Sequence, residues 1–358
     1  KARCDGFGDP VDVGLLRPVM PILMTRASED AQRAHAPGRR PYLISRSGAP
    51  GLQRHAQTWS GDNRTDWKTL RYNLRMGLGM SVSGFYNVGH DVGGFAGPRP
   101  GPELFLRWVQ NGIFHPRFTI HSWNDDGTVN EPWMHAEVLP QVRAALALRY
   151  RLLPYLYTCL WKAVTADEPM LRPLFLDHPE DPASWEERDE FMLGQDLLVA
   201  SVLDAGATLR EVRLPQNVTG WWDFHAGTWH PGGATVRCAV DLSSMPLFVR
   251  AGAILPMSTG AMRADPDADR AREVHIFPVP GAGRATGTLY EDDGISENAP
   301  FSLLRFTLDG AVALDLDWTQ EGTARPRLGT ARPLLPAGEQ RVLRARGTAL
   351  APGEAVSL

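Results

Sequence analysis

The sequence predicts an α/β unit followed by all-β structure, and three observations carry that prediction. Strand-like and helix-like stretches alternate from the start to about residue 176, the trace that a parallel sheet with crossover helices leaves in a chain. After Asp177 the texture changes to short β-rich runs punctuated by Gly, Pro, Asn and Asp, which reads as β-sandwich. The length of 358 residues exceeds one compact domain and suits two or three.

The elements follow in order. Val11–Arg33 carries Leu15, Leu16, Val19, Met20, Ile22, Leu23, Met24, Ala27 and Ala31 at helical spacing, and Pro37-Gly38 ends it. Pro41-Tyr-Leu-Ile-Ser45 reads as a short buried strand and Gln57-Thr-Trp59 as another. Trp67–Gly77 is helical. Met80–Val88, apolar and rich in Ser and Gly, reads as a strand running into Gly89-His-Asp-Val-Gly-Gly-Phe95. Glu103–Phe114 is helical, Val138–Thr165 is a long helix with a kink expected at Pro154, and Met170–Leu176 is a further strand. These make about four strand–helix units. A closed eight-stranded barrel takes about 250 residues, so a half barrel or a smaller doubly wound sheet are the two options. Beyond residue 177, Leu197–Val202, Glu211–Leu214, Leu247–Ile254 and Val274–Phe277 are the clearest strands. Ser258–Arg272 is polar and suits a boundary between two sandwiches, and the tail after Pro333 has no clear assignment.

Composition narrows the partners. Hydrophobic residues make up 43% and charged residues 22%, an ordinary globular balance. A formal net charge of −4 gives no field to attract nucleic acid or an anionic membrane surface. No apolar run approaches the roughly 20 residues of a membrane helix. Three widely spaced cysteines, Cys4, Cys159 and Cys238, make neither a disulfide framework nor a zinc site. Cellular location stays open, with the cytoplasm favoured, and so does the oligomeric state. Eleven tryptophans suit packing and also suit sugar binding, since aromatic faces grip the C–H faces of sugars.

Polar residues stand at three successive strand ends: Arg46 after Leu43-Ile-Ser, Asp62 after Trp59-Ser-Gly, and Asp91 following the Ser83–Gly89 stretch. In a barrel such positions form one rim at the active face. The competing reading makes Asp62 a helix N-cap before Trp67 and Arg46–Asp91 a structural ion pair.

Four longer segments then occur in order: Pro41-Tyr-Leu-Ile-Ser-Arg-Ser-Gly-Ala-Pro-Gly51, Trp59-Ser-Gly-Asp-Asn63, Gly89-His-Asp-Val-Gly-Gly-Phe95 and Phe114-His-Pro-Arg-Phe-Thr-Ile-His-Ser122. They resemble consecutive catalytic-domain motifs of glycoside hydrolase family 31, the α-glucosidase and α-xylosidase family. Leu148–Tyr157 resembles that family's last barrel helix. Phe191–Ala200 and Pro246–Pro256 resemble its proximal C-terminal sandwich, and Leu289-Tyr-Glu-Asp-Asp-Gly294 its distal one. The resemblance implies the C-terminal half of a TIM (β/α)8 barrel over residues 1–176, a proximal β-sandwich over 177–260 and a distal one over 261–358.

It also implies roles. Asp62 matches the general acid/base. Arg46, Trp59, Asp91, Phe95 and His121 match positions lining the subsite for the non-reducing sugar: Arg46 and His121 bond hydroxyls, Trp59 and Phe95 give apolar wall, and Asp91 orients Arg46 or a hydroxyl. The implied reaction is retaining, exo-acting removal of terminal α-linked glucose from an oligosaccharide, with no cofactor and no metal. In such enzymes two carboxyl groups about 5–5.5 Å apart share the work, and the nearby ionised partner keeps the acid protonated. The family's nucleophile is an aspartate in a Trp-x-Asp-x-Asn-Glu type motif, and no such motif occurs here. Asn124-Asp-Asp-Gly and Asn130-Glu-Pro lie downstream of Asp62 in another context. The expectation is that the sequence starts just after the fourth barrel strand and that the chain alone is inactive. α-Xylosidase, α-galactosidase, transglucosidase and a non-catalytic carbohydrate-binding relative are the rivals.

Overall fold

A computed structural model describes residues 3–6, 8–260, 271–324 and 330–358. Its N-terminal part opens with an antiparallel hairpin, β1 (Arg3–Gly6) and β2 (Asp9–Asp12), then a single turn, α1 (Val13–Leu16), and helix α2 (Met20–His35). The sequence pattern suggests one helix from Val11; Pro18 separates the two pieces instead. Strand β3 (Thr58–Trp59), helix α3 (Trp67–Val82), strand β4 (Val88–Asp91), helix α4 (Pro102–Gly112), strand β5 (Arg117–Thr119) and helix α5 (Leu139–Ala166) follow.

The three strands form one parallel sheet in sequential order, β3-β4-β5. Thr58 pairs with Val88, Trp59 with Gly89, Gly89 with Arg117, and Asp91 with Thr119. Side chains alternate across such a sheet. Thus His90 turns toward α3, where its ring lies near Gly77, and Phe118 packs on the core. Trp59, Asp91 and Arg117 share the other face. The helices cover the first face with Leu70, Leu74, Phe105, Trp108, Val109, Ala145 and Leu152, all essentially inaccessible to solvent. Each of these Leu, Val and Phe side chains stabilises the fold by roughly 1.5–3 kcal/mol.

Three readings change. Pro41–Ser45 is not a buried strand: it makes one parallel bridge, Ile44 to Gln57, and Tyr42 and Ile44 are exposed. With no strand on its other side among the described residues, β-rich composition alone does not make a ladder. Met80–Val82 continues α3, and the strand starts only at Val88; Ser81 is buried in the helix face that carries Leu74 and Leu78. Leu171–Arg172 is a strand, but it pairs antiparallel with Met192–Leu193 in the sheet beyond the barrel, and Leu174–Asp177 is helical. Helix α5 runs through Pro154 without ending.

Beyond α5 the chain is β-rich. A six-stranded sheet has the order Trp229–His230, Trp221–Asp223, Leu247–Arg250, Leu197–Ala200, Glu190–Leu193, Leu171–Arg172. Both of its faces are buried, so its strands read as continuous apolar runs. Phe191, Leu193, Val199 and Val249 join the barrel's core. Met192, Leu198 and Phe248 pack with Val212 and Leu214 beneath the two-stranded sheet Leu209–Arg213/Thr235–Ala239. A nine-stranded sheet then runs from Ala253–Ser258 to Val356–Ser357 and encloses its own core of Ile254, Val274, Leu289, Phe306, Leu316 and Trp318. It is mixed: Ala271–Phe277 pairs parallel with Thr330–Leu334. The tail after Pro333 supplies three of its short strands beyond Leu334. Ala253–Ser258 is hydrogen-bonded into this sheet; the boundary expected over Ser258–Arg272 falls largely on residues 261–270, outside the described residues. A (β/α) barrel segment followed by β-sheet layers is the architecture the sequence predicts.

Candidate functional site

The site sits at the C-terminal ends of β3, β4 and β5, where three loops are stitched to one another by main-chain hydrogen bonds. Phe95 N and Ala96 N donate to Asn63 O at 2.8 and 3.0 Å, Thr65 N donates to Ala96 O at 2.8 Å, and Trp123 N donates to Phe95 O at 2.7 Å. Glycine makes this possible at two places. Gly61 has φ +82°, and its missing Cβ faces the Arg46 side chain. Gly94 has φ +82°, and a Cβ there would lie 2.3 Å from Thr65 Oγ1. Only a residue free to enter the left-handed region without a side chain allows both turns.

Asp62 leaves the β3 loop half exposed and accepts a hydrogen bond from Arg46 Nη1 at 2.8 Å. The turn beneath it is fixed by Asn63, whose Nδ2 donates to Gly61 O at 2.9 Å and also to Ser60 Oγ. Ser60 Oγ lies 2.8 Å from His90 Nδ1. Burial, with His115 next in effect, drives the His90 pKa far down, so that ring is neutral. Asp62 is not a helix cap: Asp66 caps α3, accepting from Thr69 N at 2.6 Å.

Asp91 lies on the floor. It is fully buried, and neither carboxylate oxygen has a hydrogen-bond partner among the described residues. Burial pushes its pKa up to about 6; His121 and Arg117 hold it down, Asp62 pushes it further up, and the Trp59 indole holds it down slightly. Arg46 pairs with Asp62 and not with Asp91. The Arg117 guanidinium stands 5.2 Å from the centre of the Trp59 ring; among the described residues its Nε and Nη1 are buried without partners, and the buried Trp59 Nε1, though it bears on the Asp91 carboxyl, makes no hydrogen bond of full geometry. His121 packs against Phe95, ring centres 5.2 Å apart. The cluster thus holds buried donors on Trp59 and Arg117 beside buried acceptors on Asp91. Buried polar groups normally find partners, and a polyhydroxylated ligand supplies both kinds.

All six residues singled out in the sequence border this region: Arg46, Asp62 and His121 on its open side, Trp59, Asp91 and Phe95 deeper. Sequence reasoning passed over Arg117, although it lies inside the Phe114–Ser122 segment. Its signal was the alternation that puts it on the same face as the partner of Asp91. The Ser60–His90 contact was also missed; no local pattern marks it. Among the described residues no group of three or more His, Cys, Asp or Glu is arranged to hold a metal ion.

Comparison with known proteins places the chain in a family. Residues 10–159 match the glycosyl hydrolases family 31 TIM-barrel domain, and residues 167–255 match the family 31 C-terminal domain. The chain is 35% identical over 291 residues to alpha-glucosidase 2 of Bacillus thermoamyloliquefaciens, covering 81% of this chain and 36% of that one. It is 38% identical over 268 residues to neutral alpha-glucosidase C of Mus musculus, covering 72% and 28%. It therefore spans about a third of the length of these relatives. A family 31 dextranase of Flavobacterium johnsoniae complexed with glucose superposes with a TM-score of 0.81 at 26% identity, covering 89% of this chain and 41% of the other. A family 31 alpha-xylosidase of Xanthomonas citri gives 0.80 at 28%, covering 94% and 39%. With motif order, barrel segment, sheet layers and both family models in agreement, the chain belongs to glycoside hydrolase family 31.

Proposed function

We propose that this chain supplies the acid/base side of a retaining, exo-acting α-glucosidase-type site that removes terminal α-linked glucose from oligosaccharides. The observation that carries the reading is the Arg46–Asp62 contact above a buried, unpartnered Asp91. As it stands, the Asp62 carboxyl is occupied by its hydrogen bond from Arg46 Nη1. A general acid must hold a proton when the glycosidic oxygen arrives. A sugar hydroxyl that takes over the Arg46 donor frees the Asp62 carboxyl to face that oxygen. Asp91 accepts from another hydroxyl, and His121 and Phe95 close the wall. The carboxylate that attacks the anomeric carbon is not assigned to any residue of this chain, which has no Trp-x-Asp-x-Asn-Glu segment; on this reading it comes from outside these 358 residues. For the same reason the chain by itself has no turnover: without that group no glycosyl-enzyme forms. Residues 1–176, 177–260 and 261–358 are the corresponding barrel portion, proximal sandwich and distal sandwich. The alpha-xylosidase among the similar folds favours one rival, which an aryl xyloside assayed beside the aryl glucoside separates.

The test is kcat/KM of the full-length protein and its Asp62→Asn variant on a maltose-type disaccharide and on an activated aryl α-glucoside. Loss of a general acid costs typically 10²–10⁴-fold. The loss should be large on the disaccharide and much smaller on the aryl substrate, whose leaving group needs no proton. Equal losses on both substrates, or none on either, remove Asp62 from the acid/base role.

A further inference from the structure

The segment that carries Arg46 is held between two parts of the fold. Residues 38–47 form no strand of their own. On one side they rest on the barrel: Tyr42 N donates to Gln32 Oε1 at 2.8 Å, Gln57 N to Leu43 O at 3.1 Å, Ser45 N to Gln57 O at 3.0 Å and Thr58 Oγ1 to Ser45 O at 2.6 Å. On the other side stands the nine-stranded sheet. Its acidic turn runs antiparallel to the start of the segment, with an Arg39–Ser296 bridge, Arg40 N donating to Ile295 O at 2.8 Å and Glu297 N to Gly38 O at 2.9 Å.

The centre of this junction is Asp292. Its side chain is 1% exposed and accepts from four groups. Arg40 Nη2 forms the charged contact, Tyr157 Oη of α5 donates at 2.6 Å, Tyr290 Oη at 2.9 Å and Gly294 N at 2.8 Å. Arg40 Nη1 also donates to Tyr157 Oη at 2.7 Å. Behind it Tyr290 stacks on Trp161 of α5, ring centres 5.1 Å apart, and its backbone N donates to Thr158 Oγ1 at 3.0 Å. The carboxylate therefore ties three parts together: the barrel's last helix, the distal sheet and the root of the Arg46 segment. Buried charged hydrogen bonds of this kind are the ones that hold geometry, because losing one partner strands the others.

We propose that the distal sheet is a positioning element of the catalytic site, and that Asp292 is the positioning residue through which it fixes the segment presenting Arg46 to Asp62. The kinetic part of this proposal rests on the glycosidase reading above; the positional part does not. Asp292 touches no group of the pocket and acts only through Arg40 and the chain that follows it.

Two measurements test it on the full-length protein, with Asp292→Asn as the main variant and Tyr157→Phe as the milder one should the first fold poorly. Hydrogen–deuterium exchange reads position without reference to activity. The amides of Tyr42, Ser45 and Gln57 should exchange about 10- to 100-fold faster, the factor that a lost charged hydrogen bond carries. Val92 N, which is bonded to Thr119 O across β4 and β5, should be unchanged. Unaltered exchange over 42–57, or an equal increase throughout the barrel, overturns the positional claim. The second measurement is a double-mutant cycle with Arg46→Ala, read as kcat/KM on the maltose-type substrate. Asp292→Asn should lower kcat/KM about 5-fold or more in the parent, a coupling of the size seen for residues in one network, and leave it nearly unchanged when Arg46 is already gone. The same loss in both backgrounds assigns Asp292 to general stability and overturns the proposal. A protein without glycosidase activity, but with the exchange pattern intact, sinks the functional reading and leaves the positional claim standing.

Discussion

Replacing Asp91 by Asn separates the cost of the site from its use. The Asp91 carboxyl is fully buried, and burial raises its pKa from 3.8 to about 6. The folded protein thus holds this proton more tightly than the unfolded chain does, and ionising Asp91 opposes folding. The difference, 6 − 3.8, is about 2.2 pH units, or about 3 kcal/mol at 1.36 kcal/mol per unit. The cost is absent below about pH 4, about half developed near pH 5 and complete above about pH 6. Asn cannot ionise, so Asp91→Asn should match the parent near pH 4 and exceed it by up to about 3 kcal/mol at pH 7.5. For a unit of this size that is roughly 6–12 °C in melting midpoint, taking about 2–4 °C per kcal/mol. The assay is a series of thermal melts of both proteins from pH 4 to 7.5. Because only the difference is read, titrating groups remote from Asp91 cancel. A difference that does not change with pH, or that grows as pH falls, refutes the assignment of a buried, unsatisfied charge.

Two further substitutions probe the frame. Gly89→Ala puts a Cβ 2.0 Å from the Arg117 carbonyl oxygen, a backbone atom that cannot swing aside; it should cost about 1–3 kcal/mol or more in denaturant unfolding and, on the proposed reading, abolish glycoside cleavage by the full-length protein, since it parts β4 from β5 below Asp91. Asp66→Ala removes the cap of α3 and should cost about 0.5–2 kcal/mol while leaving kcat/KM of the full-length protein on the maltose-type disaccharide unchanged, which distinguishes this aspartate from its neighbour Asp62.

What the sequence disclosed, and what it hid, follows from where each signal resides. The Trp59–Asn63 turn was legible because its chemistry is local: Gly61 needs a left-handed turn, and Asn63 ties its own loop. The apolar runs of the six-stranded sheet were legible because both of its faces are buried. Leu171–Arg172 was placed with the barrel because its true partner, Met192–Leu193, lies some twenty residues on, and periodicity within a strand does not name its neighbour. Pro41–Ser45 has strand composition without a second neighbour to complete a ladder. The end of α3 was read as strand because Gly77, Gly79 and Ser81 are weak helix formers, and the packing of Leu74 and Leu78 outweighs them. The charge state of Asp91 and the proximity of Arg117 to Trp59 depend on burial and register, which no single stretch of residues encodes.

The Arg40–Asp292 contact also has a history in time. It joins residues 252 positions apart. At equilibrium the length of that loop matters little, since each doubling adds only about 0.6 kcal/mol to closure. During synthesis it matters more. At about 5–20 residues per second, Arg46 leaves the ribosome with roughly 12–50 s to pass before the carboxylate that anchors its segment has been made. The α3–β4–α4–β5 portion, built from contacts between near neighbours, can form in that interval, whereas residues 38–47 remain tethered on one side alone. In a growing chain, these residues are therefore the stretch of the site open longest to proteases and chaperones, and the pocket acquires its last fixed wall only when the C-terminal sheet closes.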